Sequence, residues 1–429
     1  MPLFKKPIEQ EFFSLRLRAG RPMTELEFYA RELTDWETSP ERREMIDGDR
    51  YYTGDHDILK RQRTAIGPDG KLITIENLPN NRIVDNQYAK HVDQKANYLL
   101  GQPISFSCEN DDYAAEVKKV LGMRFMRTLK SAGVECLNAG ISWLYPYYNK
   151  NGELAFRVFP GYEIMPFWAD AAHTELDSAL RLYPVEVYYG TEKKIVKKVD
   201  LFTLEGVTTY IFENGVLTPD TEKQAYVKVK DSKGNEQPLN WERFPLIPIK
   251  YNPKEVPLIR RGRSLQDAIN LLQSDFVNNM EEDVRNTVLV LKNYDGQDLG
   301  EFRRNLTTYG AIKVRTVEGT DGGVDSLEIS VNSENYKTVL ELLKKALIEN
   351  LRSYDAKDDR LSGTPNQMNI QSMYCDIDLD ANAMETELQA AFEEILWFVN
   401  TYLANTGKGS YESCLLYTSD AADDLIGVD

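Results

Sequence analysis

Two long apolar stripes in the C-terminal half of the chain constrain its fold more than any other feature of the sequence. One begins near Ser264 and the other at Ser333, and large apolar residues recur in both at intervals of mostly three or four. Such spacing places side chains on one face of an α-helix. We therefore expect two long helices, the first of roughly 25 residues and about 37 Å at 1.5 Å per residue. The stripes comprise Leu265, Ile269, Leu272, Phe276, Met280, Val284 and Val288, then Tyr336, Val339, Leu340, Leu343, Leu347, Leu351 and Tyr354.

Both expected helices also carry large apolar residues away from their stripes. Val277, Leu342 and Ile348 are the examples. Two antiparallel helices need only one stripe each to pack together, whereas a subunit of a closed ring needs apolar surface on two different sides. The extra residues favour a ring, and an ordinary intramolecular core remains the alternative.

The N-terminal part of the chain also has helical patterns. Residues 22–60 are predicted to be helical, and Thr24 with Glu27 three residues later is a capping-box signature. A second helical pattern extends from Asn80 to Leu100, and Gly101 is expected to end it.

The middle of the chain is different, because the apolar period shifts toward two between residues 103 and 250. ISWLYPYYNKNGELAFRVF predicts two strands joined by an Asn-Lys-Asn-Gly turn, and one helix is expected from Leu121 to Gly140. A last helix is predicted from about Ala381 to Leu403. The combination predicts an α+β fold.

Composition restricts the possible functions. The formal net charge is −17, from 51 basic and 68 acidic side chains, which argues against a protein that wraps DNA tightly. An acidic wall would still let DNA slide past. No apolar run is long enough for a membrane span, and the N-terminus lacks the apolar core of a signal peptide, so we expect the protein to be made and used in the cytoplasm. The cysteines form no CxxC pair and are expected to be buried and reduced; they are Cys108, Cys136, Cys375 and Cys414.

No catalytic motif is present in the sequence. GxxxxGK[ST], HExxH and GxSxG are all missing, which argues against an ATP-hydrolysing enzyme, and no cofactor is expected. The histidines His56, His91 and His173 are far apart and are expected to be surface or half-buried side chains. Asp358 and Asp359 alone do not make a nuclease site, which would need acids from several elements around a metal.

Two charged clusters are weak candidates for sites. The acids Asp376, Asp378, Asp380 and Glu387 have the spacing of a calcium loop, but Ala381 stands where that loop needs glycine. Capping of the last helix by Asp378 or Asp380 is the favoured interpretation.

The second cluster is basic and lies in the IRRGR segment at 259–263. It could contact phosphate or an acidic neighbour, or be a solvated connector. Its members are Arg260, Arg261 and Arg263.

The local sequences resemble the portal proteins of long-tailed bacteriophages, of the type found in phages of Gram-positive hosts. The resemblance covers roughly residues 42–403 and follows the family's order. It is carried by YYTGDHDIL at 51–59, NNRIVDNQYAKHVDQKANYLLGQPI at 80–104, GEFRRNLTTYGAIKV at 300–314 and DIDLDANAMETELQAAFEEILWFVNTYL at 376–403.

The resemblance implies a portal fold, with a mixed wing domain, long stem helices, a small α/β clip and a truncated helical crown. Its divisions would be an N-terminal arm (1–20), wing (21–250), connector (251–263), stem helix (264–292), clip (293–331), second stem helix (332–355), tunnel loop (356–372), long helix toward the crown (373–404) and start of the crown (405–412). The family pattern continues past this point, and SCLLYTSDAADDLIGVD resembles translated adapter sequence, so residues 413–429 are expected to be a non-native tail.

The implied function is that of a non-enzymatic subunit in a ring of about twelve, placed at the portal vertex of the capsid, which conducts double-stranded DNA during packaging and ejection. The implied partners are other copies of the chain, non-specifically bound DNA, the terminase large subunit, the head-tail adaptor, and the scaffold and major capsid proteins. A head-tail adaptor or a minor capsid protein is the alternative. The tunnel-loop candidates are Lys357, Asp358, Asp359, Arg360, Gly363 and Asn366.

Overall fold

A computed structural model of the chain describes residues 23–66, 70–75, 78–102, 104–107, 110–230, 236–283, 287–292, 300, 323–328, 333–355, 367–408 and 416–418. The chain divides into two compact units. Unit 1 comprises Met1–Asp55, Asn86–Arg263 and Leu347–Asp429, and unit 2 comprises His56–Asp85 and Ser264–Ala346.

Helices occur in both units. In chain order they are α1 (Glu25–Glu37), α2 (Pro40–Thr53), α3 (Gln87–Leu100), α4 (Asp111–Val120), α5 (Met123–Ala139), α6 (Ile259–Asp283), α7 (Ser333–Asn350) and α8 (Gln367–Asn405). Within the described ranges, none has the combination of length and apolar character that a membrane span requires.

The strands are antiparallel throughout the described sheets. They are β1 (Thr64–Ile66), β2 (Leu72–Thr74), β3 (Ser105–Ser107), β4 (Ile141–Tyr148), β5 (Leu154–Phe159), β6 (Ile164–Trp168), β7 (Leu176–Tyr189), β8 (Glu192–Thr203), β9 (Gly206–Glu213), β10 (Val216–Pro219), β11 (Val227–Lys230), β12 (Glu236–Leu239), β13 (Ile247–Lys250), β14 (Thr287–Lys292), β15 (Gly323–Glu328) and β16 (Leu416–Thr418).

Two sheets form the body of unit 1, one of five strands in the order β10-β9-β8-β7-β6 and one of three in the order β13-β4-β5. The remaining strands pair as β1-β2, β11-β12, β14-β15 and β3-β16. The mixture of helices and antiparallel sheets confirms the predicted α+β class.

The first helical region is divided where the prediction had one helix. Thr24 and Glu27 form the predicted capping box, with Glu27 N donating to Thr24 Oγ1 over 3.2 Å. The break falls at Ser39, which caps α2, and Pro40, which occupies its first turn. Because proline lacks an N–H and fits the first helical turn, it starts a new helix here.

The core of unit 1 is built on the five-stranded sheet. Phe28, Leu33 and Trp36 of α1 pack with Met165 and Leu180 from the sheet. Burial of one such side chain is worth about 1.5–3 kcal/mol, so α1 is held to the sheet by its apolar face.

The β4–β5 hairpin confirms its prediction. Tyr148 pairs with Leu154, and Gly152 in the connecting turn has a φ of 76°. That value lies in the left-handed region, which glycine adopts without strain. The Asn-Lys-Asn-Gly sequence therefore predicted the turn correctly.

The cysteine prediction is only partly right. Cys136 is buried on α5, but Cys375 is exposed on α8. Cys108 and Cys414 lie outside the described residues.

Helix α3 begins at Gln87, seven residues later than predicted. The preceding residues belong to unit 2, where their backbone is bonded to side chains on α6. Asn81 N donates to Asn278 Oδ1, Ile83 N to Ser274 Oγ and Asp85 N to Asn270 Oδ1, over 2.7, 2.9 and 3.0 Å. We call Gln266, Asn270, Ser274 and Asn278, all buried, the polar ladder.

The first long helix has different bounds from those predicted. It begins at Ile259, inside the predicted connector, and ends at Asp283, whereas its stripe was expected to reach Val288. Val288 instead lies in β14 and pairs with Leu327. The run Thr-Val-Leu-Val-Leu is rich in β-branched residues, which favour a strand, so the extended part of the prediction is wrong.

Glycine at position 262 lets the start of α6 pack closely in unit 1. A Cβ at Gly262 would lie 2.9 Å from side-chain carbons of Leu347 and Leu351. Both leucines are fully buried. The glycine of IRRGR therefore has a packing role that the charge pattern had obscured.

The other two long helices also differ from prediction. Helix α7 ends at Asn350, not at Tyr354, and Arg352 just after it has a φ of 49°. Helix α8 begins at Gln367, so the last six residues of the predicted tunnel loop and the residues before Ala381 are helical.

Candidate functional site

The chain on either side of residues 356–366 converges in unit 1. Tyr354 precedes that segment and Tyr374 follows it, and their ring centroids lie 4.7 Å apart. The two flanks are therefore fixed to each other at their base. The predicted tunnel-loop residues lie between them, outside the described residues: Lys357, Asp358, Asp359, Arg360, Gly363 and Asn366.

Helix α3 holds both flanks. Gln94 Nε2 donates to the Tyr354 carbonyl over 3.0 Å. Tyr98, one helical turn later, stacks on Tyr374 with 6.3 Å between ring centroids and donates its hydroxyl to Asp378. Burial raises the pKa of the Tyr98 hydroxyl, so this hydroxyl stays protonated and can donate.

A buried charge cluster lies beside these contacts, centred on Asp380. Lys95 Nζ reaches Asp380 Oδ2 at 2.7 Å and also donates to the Arg352 carbonyl over 2.9 Å. The Tyr251 hydroxyl donates to the same carboxylate over 2.6 Å. Arg261 and Arg352 approach its other oxygen at 3.5 and 3.6 Å. These five residues are called the Asp380 cluster below.

The Asp380 cluster contains one anion and three cations. Burial lowers the pKa of Lys95, and Asp380 partly reverses that effect. Burial raises the pKa of Tyr251, and the Asp380 charge raises it further. Because a buried charge must be paired, Asp380 is needed by Lys95, whereas Arg261 and Arg352 are partly exposed to solvent.

The structure contradicts both interpretations of the acidic cluster. Asp376, Asp378, Asp380 and Glu387 all lie inside the continuous helix α8, so they form neither a calcium loop nor an N-cap. The helix extends back this far because Ile377 is buried in line with the later stripe. Among the described residues, no three side chains are grouped as a metal site would require.

The basic cluster is part of a helix and not of an extended connector. Arg260 Nε donates to Glu44 over 2.8 Å, and Arg263 Nη1 to Asp47 over 2.6 Å. The third arginine is Arg261, in the Asp380 cluster. Each arginine therefore contacts a carboxylate. Of the interpretations that the sequence left open, the structure favours contact with an acidic neighbour.

Two of the three histidines are more buried than predicted. His56 and His91 are almost fully enclosed, while His173 is half-buried. His56 Nδ1 accepts from the Asn270 amide over 2.7 Å, within unit 2. His91 Nδ1 faces Gln94 Oε1 at 3.3 Å, and burial lowers the pKa of His91 to about 4. Both rings therefore complete local hydrogen bonds.

Sequence reasoning missed Lys95, Tyr251 and Arg352. One signal was present for Lys95, since a charged residue stood beside Val92 and Leu99 on the apolar face of α3. Charged residues are almost never fully buried unless paired, so the pattern indicated that an acidic side chain from elsewhere in the chain pairs with Lys95. Nothing local identified that acid, because Asp380 is 285 residues away in sequence.

Comparison with known proteins adds the identity of the family. Residues 37–414 match the family described as "Phage portal protein, SPP1 Gp6-like". The portal protein of Bacillus phage SPP1 is 29% identical over 368 residues, covering 86% of this chain and 71% of that protein. The portal protein of Clostridium phage phiCD119 is 26% identical over 377 residues, covering 85% and 80%.

Among solved structures, a chain from the virion of a native gene transfer agent particle aligns with a TM-score of 0.39 and 11% identity. The alignment covers 78% of this chain and 80% of that one. The sequence match extends over most of the chain, and on that basis this protein belongs to the SPP1 Gp6-like family of phage portal proteins, which are structural components of the virion.

Proposed function

We propose that this chain forms a ring of about twelve subunits at the portal vertex and conducts double-stranded DNA through it during packaging and ejection. The observation that carries the proposal is the family match over residues 37–414. In this role the ring has no catalytic activity of its own. It docks the terminase large subunit during packaging and the head-tail adaptor afterwards, and it contacts the scaffold and major capsid proteins in the head.

The long helices support ring formation, because they carry apolar side chains that the chain itself leaves exposed. Leu271 and Met280 on α6, and Val339 and Leu342 on α7, are all exposed. A subunit that contacts a neighbour on each side needs such surfaces. In a monomer the same exposed apolar side chains would lower the solubility. We assign α6 and α7 to the stem.

The other regions are assigned by the same proposal. Residues up to about 250 form the wing, 293–331 the clip, and 356–366 the loop that faces the DNA. The base contacts at Tyr354 and Tyr374 support the last assignment, since they give the segment a fixed point of departure. α8 leads toward the crown.

DNA would pass this surface without being held. The chain carries a net charge of −17, and binding strength for DNA depends on neutralising phosphates with basic side chains. The DNA-facing segment has Lys357 and Arg360 against Asp358 and Asp359, with Asp355 at its edge. With this balance of charges, the segment would contact DNA through the shape of the duplex and independently of base sequence.

The experiment is to shorten residues 356–366 by three and to supply the variant to a phage that lacks its own portal gene. We expect heads with normal rings but little nuclease-protected DNA. A matched control removes Gly190 and Thr191 from the β7–β8 turn, which should leave packaging unchanged. Normal packaging and retention by the shortened loop would contradict its assignment to the DNA path.

A further inference from the structure

A groove of about 480 Å³ lies between helix α1 and strand β10 in unit 1. The buried and half-buried residues that line it are apolar, namely Leu26, Ala30 and Leu217. Val216, beside them, is 59% exposed. Exposed charged residues surround this apolar surface, and they are Glu27, Arg31 and Asp35. An apolar surface with a polar rim is typical of a contact site.

Strand β10 is one edge of the five-stranded sheet. In the described part of the chain it pairs with β9 alone. Just after β10, Asp220 N donates to the Thr209 carbonyl over 2.9 Å. Because bonded and non-bonded pairs alternate along antiparallel strands, Leu217 directs its N–H and carbonyl away from β9. Such an edge can accept a further strand by main-chain hydrogen bonds.

The chain enters the described structure at this groove. Met23 is the first described residue, and it packs against the core that contains Leu217. Thr24, the N-cap of α1, lines the groove itself. Residues 1–22 are therefore joined to the chain directly beside the groove.

One part of this N-terminal segment has the pattern of a strand. FSLRLR at 13–18 alternates apolar and polar residues over six positions, as expected of a strand with one buried face. Six residues, 19–24, separate it from the first residue of α1. They include Gly20 and Pro22, which favour a turn, and six residues is a usual length for a strand–helix connection.

We propose that residues 13–18 of the same chain occupy the groove and add a sixth strand to the sheet beside β10. Phe13, Leu15 and Leu17 then face α1, and the alternate residues face solvent. Connectivity selects this occupant, because a segment tethered six residues away has a high effective concentration at the groove. The added strand covers the edge that β10 would otherwise present to other chains. The inference concerns one subunit and does not depend on the proposed ring.

The first test compares the two faces of the segment in the full chain. One variant combines Leu15→Ser with Leu17→Ser, and its matched control combines Arg16→Ser with Arg18→Ser. Hydrogen exchange resolved to single amides measures the protection of Leu217 N–H. We expect exchange at Leu217 to be at least about tenfold faster in the leucine variant than in the unmodified protein and unchanged in the control. Equal exchange in all three proteins would overturn the proposal.

Cross-linking with a short bismaleimide identifies the occupant without disturbing the apolar face. Cys375, which is exposed, is first replaced by serine, and Arg16→Cys is then combined with Val216→Cys. We expect a cross-link within one chain, read as a linked peptide pair at the mass of a single subunit. The control combines Arg16→Cys with Tyr188→Cys, a position 65% exposed on β7, and should give at least about tenfold less product.

The outcomes of cross-linking decide between occupants. Cross-linked dimers would overturn the proposal and assign the groove to the N-terminal segment of a second copy. A yield no higher than that of the control would overturn it as well. Both measurements are made on purified chain in any state of assembly, so failure of the chain to form rings would contradict the proposed function and leave this inference standing.

Discussion

The two units enclose polar groups in opposite ways. Unit 1 has the Asp380 cluster, in which one buried carboxylate meets three cations. Unit 2 has the polar ladder, in which neutral amides and a hydroxyl on α6 bond to the backbone of residues 81–85. Charge pairing selects particular side chains, whereas the ladder bonds mostly to main-chain groups of the segment it holds; the Asn81 amide, which donates to Asn278 Oδ1 over 3.0 Å, is a side-chain contact.

The geometry of the ladder follows from two regular repeats. Four residues of helix rise about 6 Å, and two residues of extended chain rise about 6.6 Å. Acceptors at every fourth helical position therefore face every second N–H of the extended segment. The Asp380 cluster has no such repeat, because its members come from α3, the chain after β13, α6, the end of α7, and α8. We expect loss of one member to cost more in the cluster than in the ladder.

The largest expected effect is that of Asp380→Ala. Its removal leaves Lys95 buried without its closest anion, and breaking a buried pair in this way costs about 3–5 kcal/mol. Urea unfolding of the purified protein measures the loss. Asp376→Ala is the control, since Asp376 is exposed on the same helix and should change stability by less than about 0.5 kcal/mol. Equal effects of the two substitutions would show that Asp380 is not the centre of the cluster.

The next effect concerns pH and His91. Burial, with help from Lys90 and Lys95, lowers the pKa of His91 to about 4 from its ordinary value of 6.5. A histidine with a lowered pKa binds its proton less well when folded, so stability is lost as pH falls from 6.5 toward 4. The loss should be roughly 3 kcal/mol.

The comparison variant for this prediction is His91→Phe, which has no proton to bind. Thermal unfolding at intervals between pH 7 and pH 4 should show a shallower decline for the variant than for the unmodified protein. Parallel declines would mean that His91 takes up its proton equally well in both states.

In the ladder, Asn270→Ala removes an acceptor that serves Asp85 N at 3.0 Å and a donor to His56. A buried N–H left unsatisfied costs about 1–3 kcal/mol. Proteolysis within residues 56–85 should become faster as the extended segment is released. Glu281→Ala, at an exposed position of the same helix, should leave the rate unchanged. If Asn270→Ala lowered the free energy of unfolding as much as Asp380→Ala, the polar ladder and the Asp380 cluster would not differ in the way described.

A second effect of pH concerns Glu135, a half-buried carboxyl group on α5. Burial, with Asp49 and Glu163 nearby, raises the pKa of Glu135 to about 7. A carboxyl group with a raised pKa stabilises the folded protein below pH 4.5, and this stabilisation is lost as the pH rises through 7. Glu135→Gln should therefore stabilise the protein by roughly 3 kcal/mol at pH 8 and leave it unchanged at pH 4. Stabilisation that is the same at both values would contradict the raised pKa.

The sequence predicted features whose causes are local. The Thr24–Glu27 capping box and the β4–β5 turn depend on residues a few positions apart, and both are present. The start of α8 was missed because residues 356–369 contain Gly363 and Pro365 and few large apolar residues, a composition typical of a loop. The partners that stabilise Asp380 inside a helix come from elsewhere in the chain.

The same limit applies to the candidate site. The IRRGR arginines were recognised as a charged cluster, but their carboxylate partners Glu44 and Asp47 lie over 200 residues earlier. The ladder was missed for a related reason. Gln266, Asn270 and Ser274 are polar residues beside the apolar stripe of α6, a pattern typical of the solvated side of a helix, and only the extended segment that covers them makes that side buried.

The central claim is that this chain assembles into a portal ring, and its mass under native conditions tests that claim most directly. Native mass spectrometry of the purified full chain at micromolar concentration should give a closed species of about twelve subunits of 49.2 kDa each. A population that remains monomeric, or that forms open aggregates of continuous mass, would contradict the account.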